Sequence, residues 1–182
     1  GGITLTSQGE IVLAGSFTDT ADFDPSAATY SMSTTDGSQG GFVLRLTAEG
    51  AFVNAFPIGG SKYDEVTLAH LEIDATDQLF VAGPFSGTLT FDADHKLIGI
   101  KYELNSFVAK LSLSGACQWA SGLLGGDTHK AASIRSLAPA SDGGVVLGGS
   151  FRNGTDFDPG PGTVGAGAAY TSGFVLALSA TG

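Results

Sequence analysis

Basic residues are scarce in this chain: eight Lys and Arg stand against 18 Asp and Glu, for a net charge of −10. Nucleic acid and anionic membrane surfaces are both captured by clustered cations, so composition excludes these two partners. Cysteine is scarcer still. Cys117 is the single one among 182 residues, which removes an internal disulfide and any cysteine-rich zinc site. No apolar run approaches the ~18 residues of a membrane-crossing helix, and no leader pattern opens the chain, so no membrane insertion is expected. The three histidines, His70, His95 and His129, share no i, i+4 or His-x-His spacing, so a metal site would require them to meet in space. A Gly-x-Ser-x-Gly elbow and a phosphate-cradling glycine loop ahead of a helix are missing too.

What the chain has is glycine, 28 residues of it, about twice the average share, and a phrase that returns three times. An apolar strand ends in Gly-x-Phe, a Phe-Asp pair follows six residues later, and then comes Phe-Val-x-x-Leu. The strand ends are Gly15-Ser16-Phe17, Gly83-Pro84-Phe85 and Gly149-Ser150-Phe151; the pairs are Phe23-Asp24, Phe91-Asp92 and Phe157-Asp158. The third elements begin at Phe42, Phe107 and Phe174. Phe17, Phe85 and Phe151 are 68 and 66 residues apart, and Phe42, Phe107 and Phe174 are 65 and 67 apart. A fixed period of this length marks one supersecondary unit repeated and stacked on its neighbours. The repeats run 1–68, 69–134 and 135–182, the last incomplete, within one domain.

Apolar runs of four to eight residues bounded by Gly, Asp, Ser and Asn read as strands, and helix periodicity is nearly absent. In the middle repeat, strands are expected at Thr67–Ile73, Leu79–Phe85, Ser106–Leu113 and Cys117–Leu123, with a short extended piece at Leu89–Asp92. The second strand is apolar on both faces: Ile11, Leu13 and Phe17 alternate with Val12 and Ala14 in the first repeat. Such a strand needs cover above and below, which β-propeller blades give one another and a sandwich sheet does not. The expected fold is therefore all-β, three antiparallel, roughly four-stranded blades of about 66 residues. Gly1 aligns with Ala69 and Gly182 with Gly115, so the third blade stops short of its last strand. Three blades do not close a ring. Either the chain belongs to a longer protein, or a homodimer makes a six-bladed ring.

Several stretches resemble the bacterial β-propeller repeat called SBBP: Asp22-Phe23-Asp24-Pro25, Asp156-Phe157-Asp158-Pro159-Gly160, Phe107-Val108-Ala109-Lys110-Leu111, Trp119-Ala120 and Gly125-Gly126. The chain departs from that pattern at Asn54, Thr90 and Ala177, which stand where another copy has Trp119, a leading Asp and Lys110. The resemblance implies an extracellular or cell-surface bacterial propeller, a structural module with no defined catalysis.

The recurring aspartates Asp22 and Asp24, Asp156 and Asp158, and, shifted by two positions, Asp92 and Asp94 are the metal candidates. Oxygen-rich, Gly/Pro-rich loops suit Ca2+, although an Asp-Pro step also starts a turn whose carboxylate caps backbone amides. The repeated phenylalanines read as core between blades. Loops Ser26–Gly41, Ala93–Asn105 and Gly160–Gly173 vary while the strands persist, and they offer Tyr30, Asp36, His95, Lys96 and Tyr170 to a ligand. Ionisable residues on an innermost strand, His70 and Glu72, lack counterparts in the other copies. The expected function is a non-enzymatic structural or interaction module of a secreted or cell-surface protein, needing no cofactor, with a protein or glycan partner held by the loops. The alternatives are a lectin-like, calcium-dependent carbohydrate-binding propeller and a calcium-dependent propeller hydrolase.

Overall fold

Each copy of the phrase folds into an antiparallel meander. The computed structural model describes residues 1–35, 37–59, 65–99, 103, 105–124, 132–152, 154–158, 162–166 and 170–182. The first copy contributes β1 (Gly2–Leu5), β2 (Ile11–Thr18), a small hairpin of β3 (Thr20–Asp22) and β4 (Ser31–Ser33), β5 (Gln39–Leu46) and β6 (Phe52–Gly59). β1, β2, β5 and β6 pair in that order. The middle copy has β7 (Glu65–Val66), β8 (His70–Ile73), β9 (Leu79–Ser86), a hairpin of β10 (Thr88–Thr90) and β11 (Lys96–Ile98), β12 (Asn105–Leu111) and β13 (Cys117–Leu123). Here β8, β9, β12 and β13 repeat the order. The last copy shows β14 (Ser133–Pro139), β15 (Val145–Phe151) and β16 (Ser172–Leu178), paired in sequence.

The protein is all-β, with no helix among the described residues, and none of its sheets closes into a barrel. β7 links the first two copies into one nine-stranded sheet, because Glu65 pairs with Gln39 on one side and Ser86 on the other. The turns between first and second strands are built alike. Thr6, Asp74 and Ala140 donate their amides to the carbonyls of Glu10, Gln78 and Gly144 at 2.9, 3.0 and 2.9 Å. Strand boundaries differ from expectation mainly inside the variable loops, where β4 and β11 are return strands. Alternation there is too brief for sequence to separate it from coil.

Side chains of β9 and β12 alternate between two cores. Leu79, Val81, Phe85, Phe107, Ala109 and Leu111 join Val12, Ala14, Val43 and Ile58 of the first copy. Phe80, Ala82 and Val108 join Val145, Leu147 and Leu178 of the last, together with Trp119 and Leu123 from β13. The middle sheet is thus covered on both faces, as its doubly apolar strands require. Polar contacts cross the same junctions. Asn54 donates to the Leu113 carbonyl at 3.1 Å, and at the equivalent place one repeat on, Trp119 Nε1 donates to Ala180 at 2.9 Å. Ser7 donates its amide and hydroxyl to the Asp77 carboxylate at 2.8 and 2.6 Å, tying the first turn to the second.

The phenylalanines form one triad per copy, and the middle and last triads also sit in the cores between units that the sequence suggested, while the first stands in a cluster of its own. Phe17, Phe23 and Phe42 have ring centroids 4.9–6.3 Å apart, and Phe151, Phe157 and Phe174 repeat the arrangement at 5.1–6.5 Å. In the middle triad, Phe91 and Phe85 lie 5.8 and 6.0 Å from Phe107, and Phe85 and Phe107 also belong to the core shared with the first copy.

In the middle and last copies the glycine of Gly-x-Phe is set by close approach of the backbone, and in the first by the Phe42 ring. A Cβ on Gly83 would lie 1.9 Å from the Thr67 carbonyl oxygen, and one on Gly149 would lie 2.2 Å from that of Ser133. A backbone oxygen cannot step aside as a side-chain tip can. Gly83→Ala is expected to destabilise the protein by about 1–3 kcal/mol or more, read as a lower urea midpoint, whereas Gly165→Ala, which meets nothing within 4 Å, leaves the midpoint nearly unchanged.

Candidate functional site

The first strands of the three copies lie beside one another and leave a cleft of about 330 Å³ lined by Gly2, Ile3, His70, Glu72, Arg135 and Ser136, among others. A Cβ on Gly2 would sit 2.7 Å from Leu71 Cβ, so β1 and β8 meet without room for a side chain. His70 Nε2 lies 3.1 Å from the Ile134 carbonyl, which ties β8 to β14. Glu72 and Arg135 are exposed on either side. Their counterparts are not repeated, as the sequence indicated: Gly2 and Thr4 occupy the places of His70 and Glu72 in the first copy.

A second cleft of about 380 Å³ opens between the middle and last copies, beside Asp74, Thr76, Lys110, Pro139 and Gly143. Lys110 Nζ is 3.4 Å from Asp74 Oδ2, donates to the Gly143 carbonyl at 2.7 Å and stands 5.0 Å from the Phe80 ring centroid. Burial pushes the Asp74 carboxyl up. Hydrogen bonds from the Thr76 hydroxyl, the Gln78 and Thr76 amides and Lys110 bring it below the ordinary value. This group fastens two units together.

The aspartate pairs sit at the small hairpins, and their oxygens are engaged by the backbone. Asp22 Oδ1 accepts from the amides of Asp24 and Tyr30 at 3.0 and 2.9 Å; Asp156 Oδ1 accepts from those of Asp158 and Val164 at the same two distances. Asp92 Oδ1 accepts from Asp94 and His95 at 3.0 and 2.8 Å. Asp24 caps the Ser26 amide at 2.8 Å. These contacts hold the Asp22 carboxyl below its ordinary value, the Asp24 amide first and then Tyr30. Thr90 holds Asp22's place in the hairpin ladder, and Asp92, aligned with Asp24, takes over the capping of the His95 amide that Asp22 performs for Tyr30.

Two of the loop candidates, Tyr30 and His95, are engaged within their own units. Tyr30 donates its hydroxyl to the Ala55 carbonyl at 2.9 Å and lays its ring 4.8 Å from that of Phe52, so it pins the first hairpin to β6. His95 Nδ1 sits 2.8 and 3.0 Å from the two Asp92 oxygens. Lys96 is exposed on β11 opposite Thr90, and Tyr170 is exposed. Asp36 and His129 lie outside the described residues. Trp119 is buried against the last copy.

One grouping escapes sequence reasoning. A carboxylate oxygen of Asp92, a ring nitrogen of His95 and Sγ of buried Cys117 all lie within 4.8 Å of one another. Burial, and then the Asp92 charge, push the Cys117 thiol up to about 12, while the His95 imidazole leads the contacts that hold the Asp92 carboxyl down. The available signal was Asp-x-x-His in a loop; the cysteine comes 22 residues after the histidine, on a strand that only folding brings near.

No protein-family model matches this chain, and no curated protein matches it either.

Proposed function

We propose that the chain is a non-enzymatic structural and interaction module of a secreted or cell-surface bacterial protein, its three units standing as blades of an SBBP-type propeller that associate face to face. The observation that carries this reading is the state of the two outermost faces. Leu71 and Val81 of the middle copy are 5% and 0% exposed beneath the first copy. Their equivalents in the first copy are Ile3, 68% exposed, and Leu13, half-buried, and Leu5 beside them is 58% exposed. At the other end, Val175 is 81% exposed where its equivalent Val108 is fully buried by the last copy. The first copy's open face is the kind that receives a preceding unit, and the last copy's is the kind that receives a following one. Apolar surface of this extent marks an interaction site.

For this chain the occupant is a second copy, docked head to tail. Such a contact is heterologous, and it closes when the rotation per unit divides the circle. Sedimentation velocity is expected to show concentration-dependent self-association. Val175→Asp and Ile3→Asp are each expected to abolish it, while a mixture of the two variants restores a 1:1 complex through the one junction still intact. A wild type that stays monomeric at every concentration, or a mixture that does not reassociate, overturns the reading. Among the described residues no helix is long and apolar enough to cross a membrane.

A further inference from the structure

We propose that Asp92, His95 and Cys117 form a zinc-type metal site that staples the middle hairpin to β13. The argument begins with what the first copy does at the same hairpin. Phe23 donates its amide to the Tyr30 carbonyl and Phe91 to that of His95, at 2.9 and 3.0 Å, so Tyr30 and His95 are equivalent. Asp92 caps the His95 amide as Asp22 caps that of Tyr30, although Thr90 holds Asp22's place in the ladder. Phe52 pairs with Leu46 across a bulge, and Cys117 pairs with Leu111 across the same bulge, so these two are equivalent as well. In the first copy, Tyr30 stacks on Phe52 and its hydroxyl reaches β6. The middle copy replaces both rings of that clasp with metal-ligating side chains, a histidine and a cysteine, and sets the carboxylate beside them.

The donor set is chemically coherent. Thiolate, imidazole and carboxylate are together suited to zinc and related transition ions, whereas calcium prefers oxygens alone. Zinc bonds these donors at roughly 2.0–2.3 Å, which puts tetrahedral ligands some 3–4 Å apart. The three donors here fall within 4.8 Å, and the nitrogen and carboxylate oxygen already stand 2.8 Å apart, so closure requires a movement of the order of 1 Å. Two anionic donors balance a divalent charge, so a site of this composition is neutral. The metal takes the place of the thiol proton, and one proton is released per ion bound. Water is left for the fourth position.

The test is cobalt and zinc titration of the full, metal-stripped chain. Cobalt is expected to bind 1:1 with the near-ultraviolet thiolate-to-cobalt charge-transfer band, and zinc is expected to displace it and raise the melting temperature. Cys117→Ser removes the band, and both Cys117→Ser and His95→Ala weaken zinc binding by more than the roughly 10–100-fold seen for changes one shell further out. A double variant, His95→Tyr with Cys117→Phe, restores the first copy's clasp and is expected to melt as high as the zinc-loaded wild type, without responding to zinc. No charge-transfer band, or zinc binding unchanged by Cys117→Ser, overturns the proposal.

Discussion

Phe107→Ala is expected to lower the unfolding free energy by about 3–5 kcal/mol, the range for removing a fully buried aromatic ring from a packed core. Phe107 is fully buried, edge-on to Phe85 and Phe91, and lies in the cluster that joins the middle copy to Val12, Val43 and Ile58 of the first. Its loss therefore acts twice, on its own triad and on the junction between copies. In a stack of repeats, stability is approximately the sum of unit and junction contributions, so the junction is where a single truncation does most damage. Phe42 is the control. It fills the same place in the first copy, with the same triad around it, but is only half-buried because that face has no neighbour. Phe42→Ala is expected to cost roughly half as much or less, in proportion to the apolar area already in water. Urea denaturation of both variants at a concentration where the chain is monomeric checks the pair. Equal costs would mean that the first copy's outer face is covered, and the head-to-tail reading would fall with it.

Legibility in the sequence followed the range of the physics. The strands Leu79–Ser86 and Val145–Phe151 were readable as apolar runs between turn formers, and the second strands' need for cover on both faces followed from their having apolar residues on both. The turns Thr6–Glu10 and Asp74–Gln78 were readable from their composition. The phenylalanines were readable as core between units, which holds for the middle and last copies, but period alone does not show that the three rings of each copy also pack on one another. The hairpin residues were harder still. Tyr30 reads as a free aromatic in a loop, and only its hydroxyl contact to Ala55 makes it a clasp. Cys117 reads as a solitary thiol because its partners, Asp92 and His95, arrive through a chain reversal that no local pattern encodes.

Asp74→Ala is expected to cost about 3–5 kcal/mol at neutral pH, because it strands the Lys110 ammonium at a buried junction. Both side chains of the pair are more than nine-tenths buried, and Lys110 is also fixed by the Gly143 carbonyl and the Phe80 ring. The repeat itself indicates the remedy. The last copy has Ala140 and Ala177 at the equivalents of Asp74 and Lys110, so both charges are missing there together, and the first copy shifts the acid to Glu10, which meets Arg45 at 2.6 Å. A buried ion pair exchanged for apolar groups is often neutral, so Asp74→Ala combined with Lys110→Met is expected to regain most of what Asp74→Ala alone loses. The effect of pH has a definite sign. The folded Asp74 carboxyl titrates below its ordinary value of 3.8, so the unfolded chain binds its proton first as pH falls. The contribution is complete above that value and is lost below it as pH drops through the folded pKa. Urea midpoints of wild type and Asp74→Ala should accordingly lie far apart at pH 7 and converge in acid. A gap that stays constant across that range, or a double variant as unstable as the single one, would show that Asp74 does not hold Lys110 at the junction with the last copy.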